Sequence, residues 1–222
     1  PGAVLARVAS SHLRIGTFQF MAAQDDPALL DTLMQYTLKR HFPDSAGDSN
    51  PALALLNNAI LKQAQLIARW QLVGFIHGVM NTDNMLVCGE TIDYGPCAFM
   101  DSFNPEAVFS SIDQGARYAY RNQPGIAQWN LACLAQSLLP LLADDKEQAV
   151  ALAQEAIDAF SDLFLHAHQA GMNRKLGFGS SHPDDAAMIE ELFTLMASEE
   201  VDFTLFFRHL ADQAGPGVSG QE

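Results

Sequence analysis

Cations are scarce in this sequence. Only 12 of its 222 residues are Lys or Arg, against 26 Asp and Glu, for a formal net charge of −14. Such a surface repels nucleic acid and anionic membranes as a whole, so neither is expected as a partner. A polyanion could still be held through a local cluster of cations or through metal ions. Cysteine is scarce too. Cys88, Cys97 and Cys133 are odd in number and lack C-x-x-C spacing, which argues against a disulfide framework or structural zinc. They read as reduced thiols in a cytosol-like compartment. The longest apolar run, 131–143, is interrupted by Gln136, Ser137 and Pro140, so it is no membrane span. There is neither an internal repeat nor a signal peptide. The chain opens Pro-Gly-Ala without a methionine and reads as a piece of a longer protein. What remains, 49% apolar and 17% charged residues, is the composition of a globular chain long enough to bury a core.

Alternation of apolar and polar residues over 3–20 (AVLARVASSHLRIGTFQF) predicts two strands or a hairpin, with Ser10, Ser11 and His12 between them. Asp25-Asp26-Pro27 is a helix start, and that helix runs to about His41. A polar, turn-rich loop from Pro43 to Pro51 leads into a long helix reaching about Phe75, with Leu55, Ile60, Leu66, Ile67 and Trp70 on its periodic positions. Residues 77–96 (HGVMNTDNMLVCGETIDYGP) interrupt the helical pattern. Met85–Cys88 and Thr91–Asp93 read as two short strands turning at Gly89-Glu90. A long irregular stretch from Tyr94 to Pro124 follows. Helices are then expected over 124–143, 146–171, 184–197 and 201–213, with a disordered tail from Gly215 to Glu222.

The interruption carries the chemistry. Enzymes that transfer phosphoryl groups need oxygen ligands to hold Mg²⁺ on the nucleotide phosphates. In kinase-like enzymes these are an Asn closing the catalytic loop and an Asp after a following hairpin. Here Asn84 follows His77 by seven positions, and Asp93-Tyr94-Gly95 stands where those enzymes carry D-F-G. The position of the usual catalytic Asp, two after His77, is Val79, and the nearby carboxylate is Asp83 instead. Ordinary phosphoryl-transfer geometry is therefore in question, although a proton acceptor remains. Asn84 also suits a simple turn, and His77 suits a structural hydrogen bond better than catalysis. The order of elements is α+β, mainly α. It is that of a protein-kinase-like C-terminal lobe (25–214) preceded by the last strands (1–24) of an otherwise missing N-terminal lobe. Within that lobe lie a catalytic loop 77–84, a hairpin 85–93 and an activation-type loop 94–123, with the tail 215–222 beyond it.

The string His77-Gly78-Val79-Met80-Asn81-Thr82-Asp83-Asn84-Met85, followed by Thr91-Ile92-Asp93-Tyr94-Gly95-Pro96, resembles the signature of the selenoprotein O family, SelO, called YdiU in bacteria. Residues 1–20, Arg121-Asn122-Gln123-Pro124 and Trp129-Asn130-Leu131 are similar to it as well, and the likeness runs to about residue 210. The resemblance implies a pseudokinase fold that binds ATP in a flipped orientation and moves AMP onto Ser, Thr or Tyr hydroxyls of proteins. By motif match Asp83 would be the general base, Asn84 and Asp93 the ligands of Mg²⁺ (Mn²⁺ being the alternative), and Arg7 and Arg14 the contacts to the nucleotide phosphates. Surface solubility is the plain alternative for the two arginines. A guanidinium fork nonetheless suits phosphate oxygens, and arginine is rare here. A bacterial member would be cytoplasmic, a eukaryotic one mitochondrial. The family's glycine-rich segment and Lys–Glu pair lie upstream of the matched region and its redox-active Cys or selenocysteine beyond it, so the 222 residues alone are expected to be inactive. A kinase-like phosphotransferase and a non-catalytic pseudokinase scaffold remain the alternatives.

Overall fold

The computed structural model describes residues 2–4, 6–180 and 182–214. Among them the fold is α+β and mainly α: α1 (Ile15–Ala22), α2 (Pro27–His41), α3 (Pro51–Leu72), β1 (Phe75–Ile76), β2 (Ala98–Phe99), α4 (Gln123–Leu142), α5 (Lys146–Leu176), α6 (Asp185–Ser198) and α7 (Phe203–Ala214). The six helices expected from Pro27 onward are all present, because their ends carry local signals. Asp26 caps α2, its carboxylate accepting from Ala28 N–H (3.0 Å) and Leu29 N–H (3.2 Å), with Pro27 in the first turn and Lys39, Arg40 and His41 in the last. Asn50 and Asp145 cap α3 and α5 in the same way, through Leu53 N–H (3.1 Å) and Gln148 N–H (2.8 Å). The tail 215–222 lies outside the described residues.

The expected strands over 3–20 are not what forms. Residues 6–13 carry no regular structure, and Arg14 makes a single bridge with Leu86. Residues 15–22 are α1. The misleading signal was Phe18-Gln19-Phe20, which alternates as a strand would. Phe18 is fully buried with Ile15, three residues earlier and one helical turn away, whereas Phe20 is 64% exposed. Thr17 Oγ1 accepts the Arg14 N–H (3.2 Å) and fastens the first turn.

The chain gathers into two compact units. The first comprises Pro1–Leu66, Met80–Asp93 and Ala127–Phe160; the second comprises Ile67–Val79, Tyr94–Ile126 and Ser161–Glu222. The first buries one face of α2 through Leu30, Met34 and Leu38, together with the face of α3 that carries Leu55, Leu56, Ala59 and Ile60. Each such leucine contributes about 1.5–3 kcal/mol of burial. The second holds β1 and β2 antiparallel, Phe75 opposite Phe99 and Ile76 opposite Ala98. Its core includes Ile76, Met100, Phe103, Tyr120, Met172 and Phe203. Phe103 stacks on Phe193 (5.0 Å between centroids) and Phe203 (5.8 Å). Two glutamines tie its irregular chain: Gln71 Nε2 donates to Tyr120 O (2.7 Å), and Gln123 accepts from His77 N–H (3.0 Å) while donating to Phe75 O (3.0 Å).

Candidate functional site

The loop that carries Asp83 and Asn84 is shaped in the first unit by two short crossings. Val87 N–H donates to Leu13 O (3.0 Å) and Ile15 N–H to Met85 O (2.9 Å), with Arg14 opposite Leu86 between them. The second crossing pairs Met85 with Thr91. It closes at Gly89, whose φ is 74° and whose N–H returns to Leu86 O (3.0 Å). A β-carbon there would come within 2.7 Å of Lys62 Cβ and 2.9 Å of Lys62 O, so both conformation and space call for glycine. This bridge is a single pair, so the strands expected over Met85–Cys88 and Thr91–Asp93 do not form as regular strands. Asp83 and Asn84 precede Met85 in the 3-10 turn Thr82–Asn84, and Asp93 lies two residues beyond Thr91, so all three leave the hairpin at its open end.

Two buried amides grip this hairpin. Gln63 Nε2, from α3, donates to Leu86 O (2.6 Å), and Asn130 Nδ2, from α4, donates to Met80 O (2.8 Å) and touches the Met85 sulfur. The short 3-10 turn Thr82–Asn84 is closed by Asn84 N–H on Asn81 O (3.0 Å). Held this way, Asp83 is exposed and Asn84 half-buried. The Asp83 carboxylate rests against the first turn of α1 so closely that a β-carbon at Gly16 would collide with its Oδ1 and Cγ. The partial positive charge of that helix end favours an anion there. Asp93 is exposed and holds φ 61°, a left-handed conformation costing a non-glycine residue roughly 1–2 kcal/mol. Strain of this kind concentrates at working sites.

The arginines are placed differently from each other. Arg14 is half-buried at the N-terminal end of α1, and its Nε is buried with no hydrogen-bond partner among the described residues. Arg7 is exposed on the irregular segment 6–13. They do not stand on two adjacent strands, because the second expected strand is a helix. The Arg7 segment is tied down at Ser10. Its N–H (3.1 Å) and hydroxyl (2.5 Å) both donate to the Glu90 carboxylate, and its carbonyl accepts from Arg40 Nε (3.2 Å) and Nη2 (2.6 Å). The serine hydroxyl holds the Glu90 carboxyl below the usual range.

His77 belongs to the second unit and is fully buried, its ring 5.3 Å from that of Trp70 and its Nδ1 accepting from Val79 N–H (3.4 Å). That is the structural role its surroundings favour. Gln63, Asn130, Gly16 and the Ser10–Glu90–Arg40 tie were missed from sequence. A polar amide at an otherwise apolar helical position was the available signal for the first two. Among the described residues no three His, Cys, Asp or Glu side chains gather as a metal cage. The donor set Asp93 and Asn84 fits Mg²⁺ instead, which uses one or two carboxylates and completes its shell with water and substrate phosphates. The buried Arg14 Nε likewise fits an anion.

The model of the family described as "Protein adenylyltransferase SelO" matches residues 1–222. The chain belongs to the SelO family. Relatives named "Protein nucleotidyltransferase YdiU" include that of Bradyrhizobium sp. strain BTAi1, 56% identical over 217 residues, covering 98% of this chain and 44% of the relative. That of Methylorubrum extorquens strain PA1 is 54% identical over 221 residues, covering 100% of this chain and 44% of the relative. That of Rhodopseudomonas palustris strain HaA2 is 52% identical over 214 residues, 96% and 44% of the two chains. This SelO chain thus spans under half the length of the curated relatives it matches. No helix among the described residues is long and apolar enough to cross a membrane.

Proposed function

We propose that the full-length protein transfers AMP from ATP to Ser, Thr or Tyr hydroxyls of other proteins, through a kinase-like lobe that includes residues 25–214. The observation that carries this reading is the short hairpin closed at Met85–Thr91, from whose open end Asp83 and Asn84 lead on one side and Asp93 on the other, with Arg14 bridged to Leu86 beside it. The family's description as a protein adenylyltransferase supports the same reading. In this reading Asp83 accepts the proton of the attacking hydroxyl. The hydroxyl oxygen bonds to the α-phosphorus, the bond from that phosphorus to the bridging oxygen breaks, and pyrophosphate leaves. Asn84 and Asp93 would hold Mg²⁺, which supplies neutralisation of the phosphate charge. Arg14, and Arg7 from its tethered segment, face the β- and γ-phosphates, where the leaving charge develops.

Incubating the full-length protein and a protein acceptor with ATP labelled at either the α- or the γ-phosphate tests this. The expected result is α-label in the acceptor, dependent on divalent metal. Incorporation of γ-label makes the protein a phosphotransferase. Nucleotide binding with neither label transferred makes it a scaffold.

A further inference from the structure

Four of the chain's 12 cations, none of them assigned a role above, lie together. Arg69 of α3, Arg174 and Lys175 of α5 and Arg208 of α7 line three adjoining hollows in the second unit, of about 440, 290 and 260 Å³. Lys175 lines all three, so they meet around it. None of the lining residues is acidic, and none of the four cations has a carboxylate within ion-pair distance among the described residues. In a chain of net charge −14, an acid-free group of cations is the exception to its own surface.

We propose that these joined hollows are a docking site for an acidic segment of a partner protein in which carboxylates alternate with apolar side chains. Charge complementarity selects the sign of the occupant: an acidic partner repelled elsewhere finds its favourable field here. The lining selects its other half. Leu72, Val73, Phe203, Phe207 and Leu210 stand between the cations, Val73 being 50% and Leu210 37% exposed. A lone phosphate would be met by donors converging on one point. These guanidinium groups come instead from three helices and are spread over three hollows, Arg69 and Arg174 on one, Arg174 also on the second and Arg208 on the third, which suits several carboxylates of one peptide. Lys175 is fixed where the hollows meet. Its Nζ donates to Leu72 O (2.5 Å) at the end of α3 and lies 3.6 Å and 4.6 Å from the ring centroids of Phe207 and Phe203. Burial pushes its ammonium down to about 8, the condition of a cation short of counter-charge.

The docking site is independent of the reaction assigned to Asp83, so its test needs neither nucleotide nor turnover. The probe is a dye-labelled peptide of alternating Glu and Leu, titrated by fluorescence anisotropy into the full-length protein. Binding is expected, weakening as salt rises. It should fall about tenfold or more in the triple variant Arg69→Glu, Arg174→Glu, Arg208→Glu, taking exposed charge pairs at their usual strength. All three arginines are exposed, and an unchanged thermal unfolding curve confirms that the variant folds. The Lys-for-Glu version of the peptide should not bind. Equal binding by the triple variant, or no binding by the full-length protein, overturns the proposal. So does calorimetric binding of inorganic pyrophosphate that the triple variant loses while the peptide does not bind, since the hollows would then be a small-anion site.

Discussion

Gln123 in the second unit uses both ends of its amide on backbone, accepting from His77 N–H and donating to Phe75 O. Asn130, seven residues along the same helix and equally buried, uses its nitrogen on Met80 O but leaves its Oδ1 without a partner among the described residues. The contrast extends beyond this pair. Of the buried side-chain atoms unpaired among the described residues, Arg14 Nε, His41 Nε2, Gln63 Oε1 and Asn130 Oδ1, all four belong to the first unit. Three of them belong to residues that bond or flank the Asp83 hairpin. Each such atom costs about 1–3 kcal/mol. A fold tolerates that cost where something other than stability is selected. The second unit leaves no such atom among the described residues, whereas the first leaves four, which suits the charged substrate proposed for it.

The largest effect that would sharpen this contrast lies at Asp83. As a general base it is expected to be worth about 10²–10⁴-fold in rate, so Asp83→Asn should lower kcat by that factor with nucleotide affinity little changed. Loss in binding alone would make Asp83 a ligand rather than a base. Arg14 comes next. Preorganised charge aimed at a leaving group is worth about 10²–10³-fold, so Arg14→Ala should cost that much α-label transfer, and Arg14→Lys should restore only part of it. Arg7→Ala should cost less, because Arg7 is exposed whereas Arg14 is half-buried. Equal losses at the two arginines would break the distinction between them.

The third expectation tests the comparison directly. Gln123→Leu strands two buried backbone groups and should cost about 2–6 kcal/mol in a urea titration. Asn130→Leu strands one carbonyl but removes an unpaired oxygen, so it should cost about 0–2 kcal/mol. Activity should show the reverse order, with kcat falling for Asn130→Leu, whose amide holds the start of the loop carrying Asp83. If the two variants lose stability and activity in parallel, the units do not differ as argued.

The helices were legible because their ends are written locally, in Asp26-Pro27, Asn50-Pro51 and Asp145, and because Leu30, Met34 and Leu38 recur on one helical face. The candidate site residues Asp83, Asn84 and Asp93 were picked out for another reason: they sit in a break of the helical pattern at a recognisable spacing. α1 was not legible, since eight residues containing Phe18-Gln19-Phe20 fit period 2 as well as period 3.6 until burial chooses. Nor was the support of the site. Gln63 and Asn130 lie 23 and 45 residues from their hairpin partners Leu86 and Met85, and no local pattern announces a hydrogen bond across such a span. The cation group is of the same kind, assembled from α3, α5 and α7.

The smallest expected effect concerns the tie that holds the Arg7 segment. Glu90 accepts two hydrogen bonds from Ser10, and its folded-state pKa lies below its ordinary value because the serine hydroxyl favours the carboxylate. A depressed carboxyl binds fewer protons folded than unfolded. Its contribution is therefore fully present above the unfolded value of 4.5 and is lost as pH falls through the lower, folded one. Glu90 is largely solvated, so solvent screening limits the contribution to roughly 0.2–1 kcal/mol. Ser10→Ala should remove it at pH 7 and leave stability nearly unchanged once the pH has fallen below the folded value, where the wild-type carboxyl is itself protonated. Ser10 ties the segment to both Glu90 and Arg40, so the same variant should raise the KM for ATP more than it lowers kcat. Hydrogen exchange of residues 6–13 gives the independent readout: faster exchange in Ser10→Ala at pH 7 is expected. Unchanged exchange together with a pH-independent stability difference would mean that Arg40, through the Ser10 carbonyl, holds the segment by itself.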